Sequence, residues 1–405
     1  MIRNSSSAEV SCLLAQLAAA LTRTVLALSL TLPVEGRAQN RVDSAGVEIV
    51  ELASIQTSRV AFIVSPKPLV RLGGLQDDER AEFSPRHGLL RTLRLSDGQI
   101  VVNEFSAVKI FDAGGRLLHV LGRRGSGPGE FQQTHSVCKV AGDSLLVRDY
   151  SLRRASVFTA QGKFVRTITT DGSPAGTGCF SDGSILIRTS ARVDDRIKAS
   201  EERARFLDRI ADYHRISASD RQMRSIGTWL SYRSSAFEAP IYTEVVGDRI
   251  YIGDSQDASV RILDGSGKLT RVIRWRASRT RVTNELLERR VRASVPKDAP
   301  RSVIDERIAA LRMRPVPDVL PAFLQMQVDP SGRIWLEDYP IEARSAWWTV
   351  LDADGSLLGR VEIPRIADAR RSVTPLIVEV LNDRIALSWN DDDGAVHLGY
   401  FALTK

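Results

Sequence analysis

The feature that most constrains this chain is a recurring set of four short apolar runs separated by glycine and aspartate turns. In one copy, Ser136-Val-Cys-Lys-Val140 reaches a turn at Gly142-Asp143 and returns through Ser144-Leu-Leu-Val-Arg148. Ser156-Val-Phe158 then turns at Ala160-Gln-Gly162 into Lys163-Phe-Val-Arg-Thr-Ile168. Runs of this length, rich in β-branched and aromatic residues and bounded by turn signals, read as a four-stranded antiparallel meander. First turns of the same kind fall at Gly98, Asp143, Gly183, Asp248, Gly332 and Asp383, which marks six sets. Glycine and aspartate suit these positions because tight hairpins need positive φ or local backbone hydrogen bonds.

A sheet with two apolar faces cannot stand alone, so the six sets predict an all-β fold, a six-bladed β-propeller. The sixth set stops after three strands. Pro68–Gly74 followed by Ala81-Glu-Phe83 echoes Leu118–Gly125 followed by Gly129-Glu-Phe131. Residues 67–73 are therefore expected to supply the missing outer strand and close the ring. The expected organisation is a leader at 1–38, an extension at 39–66 with peripheral strands at Gly46–Leu52 and Val60–Val64, and the propeller at 67–405. A seventh blade would have to occupy 276–321, which reads as helix. A two-sheet sandwich would not explain regular four-strand sets.

Gly122–Phe131, continuing through Asp149 to Phe158, resembles the NHL-type repeat, whose blades carry a glycine-rich Gly-Glu-Phe element ahead of the inner strand. The match is partial over 71–111 and 247–263 and poor elsewhere. The whole also looks like the exported six-bladed propellers of bacteria. The resemblance implies a binding fold, since NHL-type proteins bind peptides, proteins or RNA and some related six-bladed proteins are hydrolases or lyases. It also implies that Asp149 and Asp254 are structural aspartates that tie down their own loops.

Residues 1–38 do not read as part of the ring. Val25–Pro33 is an apolar run that follows Arg23 and precedes Gly36-Arg37-Ala38, the order of a cleavable secretory signal. A retained anchor is the alternative, but Gln16, Thr22, Arg23 and Thr24 interrupt the apolar stretch below the roughly 20 residues needed to span a bilayer. The expectation is a periplasmic or secreted protein with no stable membrane span once the signal is removed. Only Cys138 and Cys179 would then remain, and the favoured reading is two buried thiols rather than a cross-blade disulfide. The formal charge of +7 is spread among alternating basic and acidic residues, which argues against a nucleic-acid partner.

Extra length gathers where strands b and c, or d and the next a, are joined. These loops emerge on one face, opposite the short a–b and c–d turns. They include 189–212, Trp229–Pro240 and the long insertion at 276–321. In the insertion, Thr283 is positioned to cap a helix carrying Leu287 and Val291. Ser302-Val-Ile-Asp305 has capping-box spacing before Ile304, Ile308 and Leu311. The hairpin is read as a plug packed on the ring, with a lid over the channel mouth as the functional alternative. Insertions gathered on one face mark that face as the binding side.

Five residues near this face are candidates for ligand contact: His87, Glu104, His135, Arg148 and Glu337. His87 and His135 occupy equivalent positions, each four residues beyond the Phe of a Glu-Phe element. No third histidine fills the matching slot, so no metal or other cofactor is expected. The chain lacks a Gly-x-Ser-x-Gly elbow, a His-Glu-x-x-His motif, a phosphate loop and a dinucleotide fingerprint. Trp347 and Trp348 point to opposite sheet faces, one of them a possible exposed anchor. The reading is a non-enzymatic module for a protein, peptide or small-molecule ligand. The competing class is a hydrolase or lyase at the channel mouth.

Overall fold

A computed structural model describes residues 39–74, 78–84, 91–170, 172–175, 178–189, 191–193, 208–217, 222–276, 280–340, 347–366 and 375–405. The expected leader, His87, and residues 194–207 of the long loop of blade three lie outside these residues. Among the described residues, no helix is long and apolar enough to cross a membrane.

Six antiparallel sheets follow one another along the chain, each with strands a to d in order from the axis outward. The inner strands are Arg91–Arg94, Thr134–Val140, Ser173–Pro174, Ile241–Val246, Phe323–Val328 and Leu376–Val380, for blades one to six. The b strands are the most enclosed: Ile100–Asn103 and Ser144–Asp149 are buried almost throughout. Both faces of a central strand meet a neighbouring blade, so their sequences are continuous apolar runs rather than alternating ones. An apolar cluster fills every gap between successive blades, from Val101 and Val147 between one and two to Leu398 and Val102 between six and one. The ring is a six-bladed β-propeller.

The seam closes as the repeat predicts. The outer strand of blade six is Ile63–Gly73, paired antiparallel with Val396–Thr404 so that Leu72 lies opposite Leu398. It starts earlier than residue 67, and Val60 continues the path as a bridge to Arg360 of blade five. The echo between the two ends of the repeat has a steric cause. Gly73 and Gly122 both hold positive φ, +73° and +75°, at the end of a d strand. Phe83 and Phe131 pack where a Cβ would stand, within 2.6 Å of its position. The Phe of the repeated element therefore requires a glycine about nine residues before it, and both are present in each copy.

The N-terminal segment belts half of the ring. Val47–Leu52 adds in parallel to the outer strand Leu269–Trp275 of blade four. Arg271 and Glu48 pair across this junction at 2.6 Å, and Arg41 reaches both Glu48 and Asp354 at 2.6 Å. The chain then passes blade five through Arg59 and Ala61, which exchange backbone hydrogen bonds of 2.8 Å with Arg360, and ends in blade six.

The insertion forms two helices, α1 (Asn284–Ala293) and α2 (Arg301–Arg312). Thr283 caps α1 by accepting from Leu286 N, as the sequence implies. The expected capping box at Ser302 does not form. Helix α2 begins two residues earlier than that box would start it, with Pro300 in the cap position, whose carbonyl accepts from Val303 and Ile304, and Asp305 is engaged by Arg301 at 2.9 Å. Leu286 and Leu287 pack with Ala236, Phe237 and Leu320 in a cluster of their own. The hairpin thus rests on the loop joining blades three and four, which is the plug arrangement.

Candidate functional site

The inner strands enclose an axial channel of about 760 Å3. Its wall is unequal from side to side. Arg91 of blade one, His135 of blade two and Arg188 of blade three line one side. Glu244 of blade four and Glu379 of blade six line the other, with Gln325 and Gln327 of blade five between them. Arg91 and His135 begin their inner strands and Arg188 ends a b strand, so all three stand at the b–c/d–a face.

The two carboxyls also tie blades together. Glu244 Oε2 accepts from Val328 N of blade five at 2.8 Å. Glu379 Oε2 accepts from Thr92 Oγ1 of blade one at 2.8 Å and from Tyr400 Oη at 2.6 Å. Gln327 Nε2 donates to the Ile377 carbonyl of blade six at 2.7 Å. Removal from water disfavours a carboxylate, so burial pushes Glu244 up to about 7 despite the Val328 amide and the positive field of Arg91. Burial also raises Glu379, against the opposing hydrogen bonds of Tyr400 and Thr92.

Cys138 and Cys179 form a disulfide on the channel wall between blades two and three. This corrects the expectation of free thiols. Sequence spacing alone does not reveal that successive inner segments come within 5.9 Å, Cα to Cα, at this level of the ring.

The predicted contact residues divide. His135 lines the channel. Glu104 pairs with Lys109 at 3.0 Å, its side chain only 11% exposed, and does not line the channel. Arg148 is fully enclosed between blades two and three, where it donates to Ser136 Oγ at 2.6 Å and to the Ala175 and Leu186 carbonyls. Burial lowers its pKa to about 10. Glu337 is likewise completely buried within blade five. Among the described residues, then, the structure brings His135 together with Arg91, Arg188, Glu244 and Glu379, none of which the sequence reading chose. A lone carboxylate inside an inner strand, as in Tyr-Thr-Glu-Val and Ile-Val-Glu-Val, was the available signal, because charged residues avoid such positions.

Asp149 and Asp254 are structural. Asp149 accepts from the Gln132, Gln133 and Leu152 amides, and Asp254 from those of Gln256 and Asp257. Trp348 is buried, while Trp347 is half-buried beneath Arg360, whose guanidinium carbon lies 4.5 Å from the ring centre. Neither tryptophan is an open platform. Among the described residues, no group of three or more metal-ligating side chains gathers. A second cavity of about 770 Å3 lies under residues 53–58, beside Trp275, Arg276, Asp338 and Arg360.

No family model matches the chain, and no curated protein matches it in sequence. Solved structures resemble it in fold. A putative exported protein from Bacteroides fragilis superposes with a TM-score of 0.50 at 11% identity, over 88% of this chain and 99% of that one. A member of the DUF4221 family from Bacteroides vulgatus gives 0.50 at 10% identity, over 84% and 99%. Virginiamycin B lyase from Staphylococcus aureus is more distant, at 0.39 and 10% identity over 76% and 78%. At these identities the likeness concerns the fold.

Proposed function

We propose that this chain is an extracytoplasmic binding module that takes a small polar ligand into its axial channel from the b–c/d–a face. The observation that carries the reading is the channel itself. About 760 Å3 is within the range of small-ligand sites, and ionisable side chains from five blades converge on it. Long insertions on the same face give the fold room to shape the mouth. The disulfide supports an oxidising compartment, in agreement with the leader read at 1–38, because such bonds persist outside the reducing cytosol.

Catalysis at the mouth has less support. A general base needs a partner within about 3–4 Å of a shared reacting atom. Glu104 and Glu337, the two acidic candidates, do not line the channel that His135 lines. A screen of small polar metabolites by thermal shift and calorimetry tests the binding reading. Ligands that stabilise the native chain are expected to lose their effect in an Arg91→Ala/Arg188→Ala variant. If no compound stabilises the native chain, or if the variant responds equally, the channel is not the binding site.

A further inference from the structure

We infer that the axial channel takes a small zwitterion, a free amino acid or a peptide of a few residues, with its anionic end toward Arg91 and Arg188 and its ammonium toward Glu244. This rests on the channel being the binding site and names the class of ligand it would hold.

The argument starts from the placement of charge. Blades one and four stand opposite each other in a ring of six. Arg91 belongs to the first and Glu244 to the second. They are not in contact, since among the described residues the only protein hydrogen bond to the Glu244 carboxyl comes from Val328 N. Arg91 nevertheless acts on that carboxyl through space. Both line the channel, from opposite blades of the ring, and neither bonds the other.

Both sides have spare bonding capacity. Glu244 is 9% exposed, and its Oε1 has no protein partner among the described residues. Among the described residues, the hydrogen bonds to Glu379 from Thr92 and Tyr400 both fall on Oε2. Neither Arg91 nor Arg188 is held by a carboxylate among the described residues, unlike Arg233 and Arg333, and Arg188 bonds the Tyr213 hydroxyl. A guanidinium offers several donors in a plane and suits a carboxylate end. A buried carboxylate with an open oxygen suits an ammonium, which brings both the compensating charge and the missing donor.

A purely anionic ligand would leave Glu244 and Glu379 facing like charge or forced neutral. A purely cationic one would press against Arg91, Arg188 and His135. A molecule with charge at both ends satisfies each wall, and the uncharged lining residues Tyr242, Gln325 and Leu376 of blades four to six pack against its body.

The test uses the full chain and four probes in calorimetry: Ala-Leu, N-acetyl-Ala-Leu, Ala-Leu amide and free leucine. Blocking either end of the dipeptide is expected to weaken binding by about tenfold or more. Glu244→Gln, which keeps an acceptor for Val328 N, is expected to abolish the penalty for acetylation while keeping that for amidation. Arg91→Gln is expected to do the reverse. Comparison of Ala-Leu with leucine separates the peptide from the amino acid. Equal binding of free and blocked probes overturns the inference even if the variants fail to fold, because the blocks are on the ligand. So does failure of all four probes while another metabolite binds in the channel. If nothing in a broad metabolite set binds, the binding reading itself is lost.

Discussion

Cys138 and Cys179 join the inner segments of blades two and three beside the channel, 41 residues apart in sequence. A cross-link over a loop of that size stabilises mainly by restricting the unfolded chain, by up to about 4 kcal/mol. A Cys138→Ala/Cys179→Ala variant is expected to lose most of that in urea unfolding. Reducing agent should shift the native midpoint and leave the variant unchanged. Equal midpoints for oxidised and reduced native chain would show that the bond contributes nothing.

Glu244 gives stability a pH dependence. Its pKa of about 7 in the folded chain lies above the ordinary value of 4.5, so the folded state holds a proton that the unfolded state has released between these pH values. The stabilisation from the neutral group is complete below 4.5 and is lost as pH rises to 7, about 3 kcal/mol in all. Glu244→Gln should flatten this part of the stability profile and be the more stable chain at pH 8. The same slope in both chains would assign it to another group.

Much of the ring was legible because its causes are local. Turns at Gly98 and Gly183 carry positive φ, +88° and +79°, and their sequence signals fall where the a–b hairpins occur. The seam was legible through the Gly-to-Phe spacing, whose steric reason repeats at Gly73 and Gly122. The site was not, because it is assembled from six strands distant in sequence. Glu244 reads as one polar residue in an apolar run until Val328, Arg91 and the channel are placed around it. Arg148 shows the same limit: near the end of a b strand it reads as a contact residue close to the axis, and only the placed neighbours reveal that the Ala175 and Leu186 carbonyls of the next blade engage it.

The seam offers a paired test. Leu72 is 2% exposed and packs against blade one, whereas Leu69, three residues before it on the same strand, is 60% exposed. Leu72→Ala should cost about 3 kcal/mol through lost burial and the cavity left behind. Leu69→Ala should change stability by no more than about 0.5 kcal/mol. Similar values at both positions, measured by urea unfolding, would contradict the closure of the ring by this strand.

Asp149 should behave as a structural residue. Asp149→Ala leaves the amides of Gln132, Gln133 and Leu152 without their carboxylate, and a loss of about 3 kcal/mol is expected. Ligand affinity measured well below the melting temperature should stay at the native value. A selective loss of binding with unchanged stability would move Asp149 into the site.

The belt from Val47 to Gly73 has a consequence for how the protein is made. The strand synthesised first among those of blade six finds its partner only when the last has appeared, since Arg71 and His397 are 326 positions apart. Until then blades one and six each present an open apolar flank, and Ile63–Gly73 waits unpaired. Pro66 and Pro68 lie within that waiting segment and deprive it of two backbone donors, which makes it a poor template for a strand from another chain. Maturation thus ends with a single long-range capture that is slow by its topology.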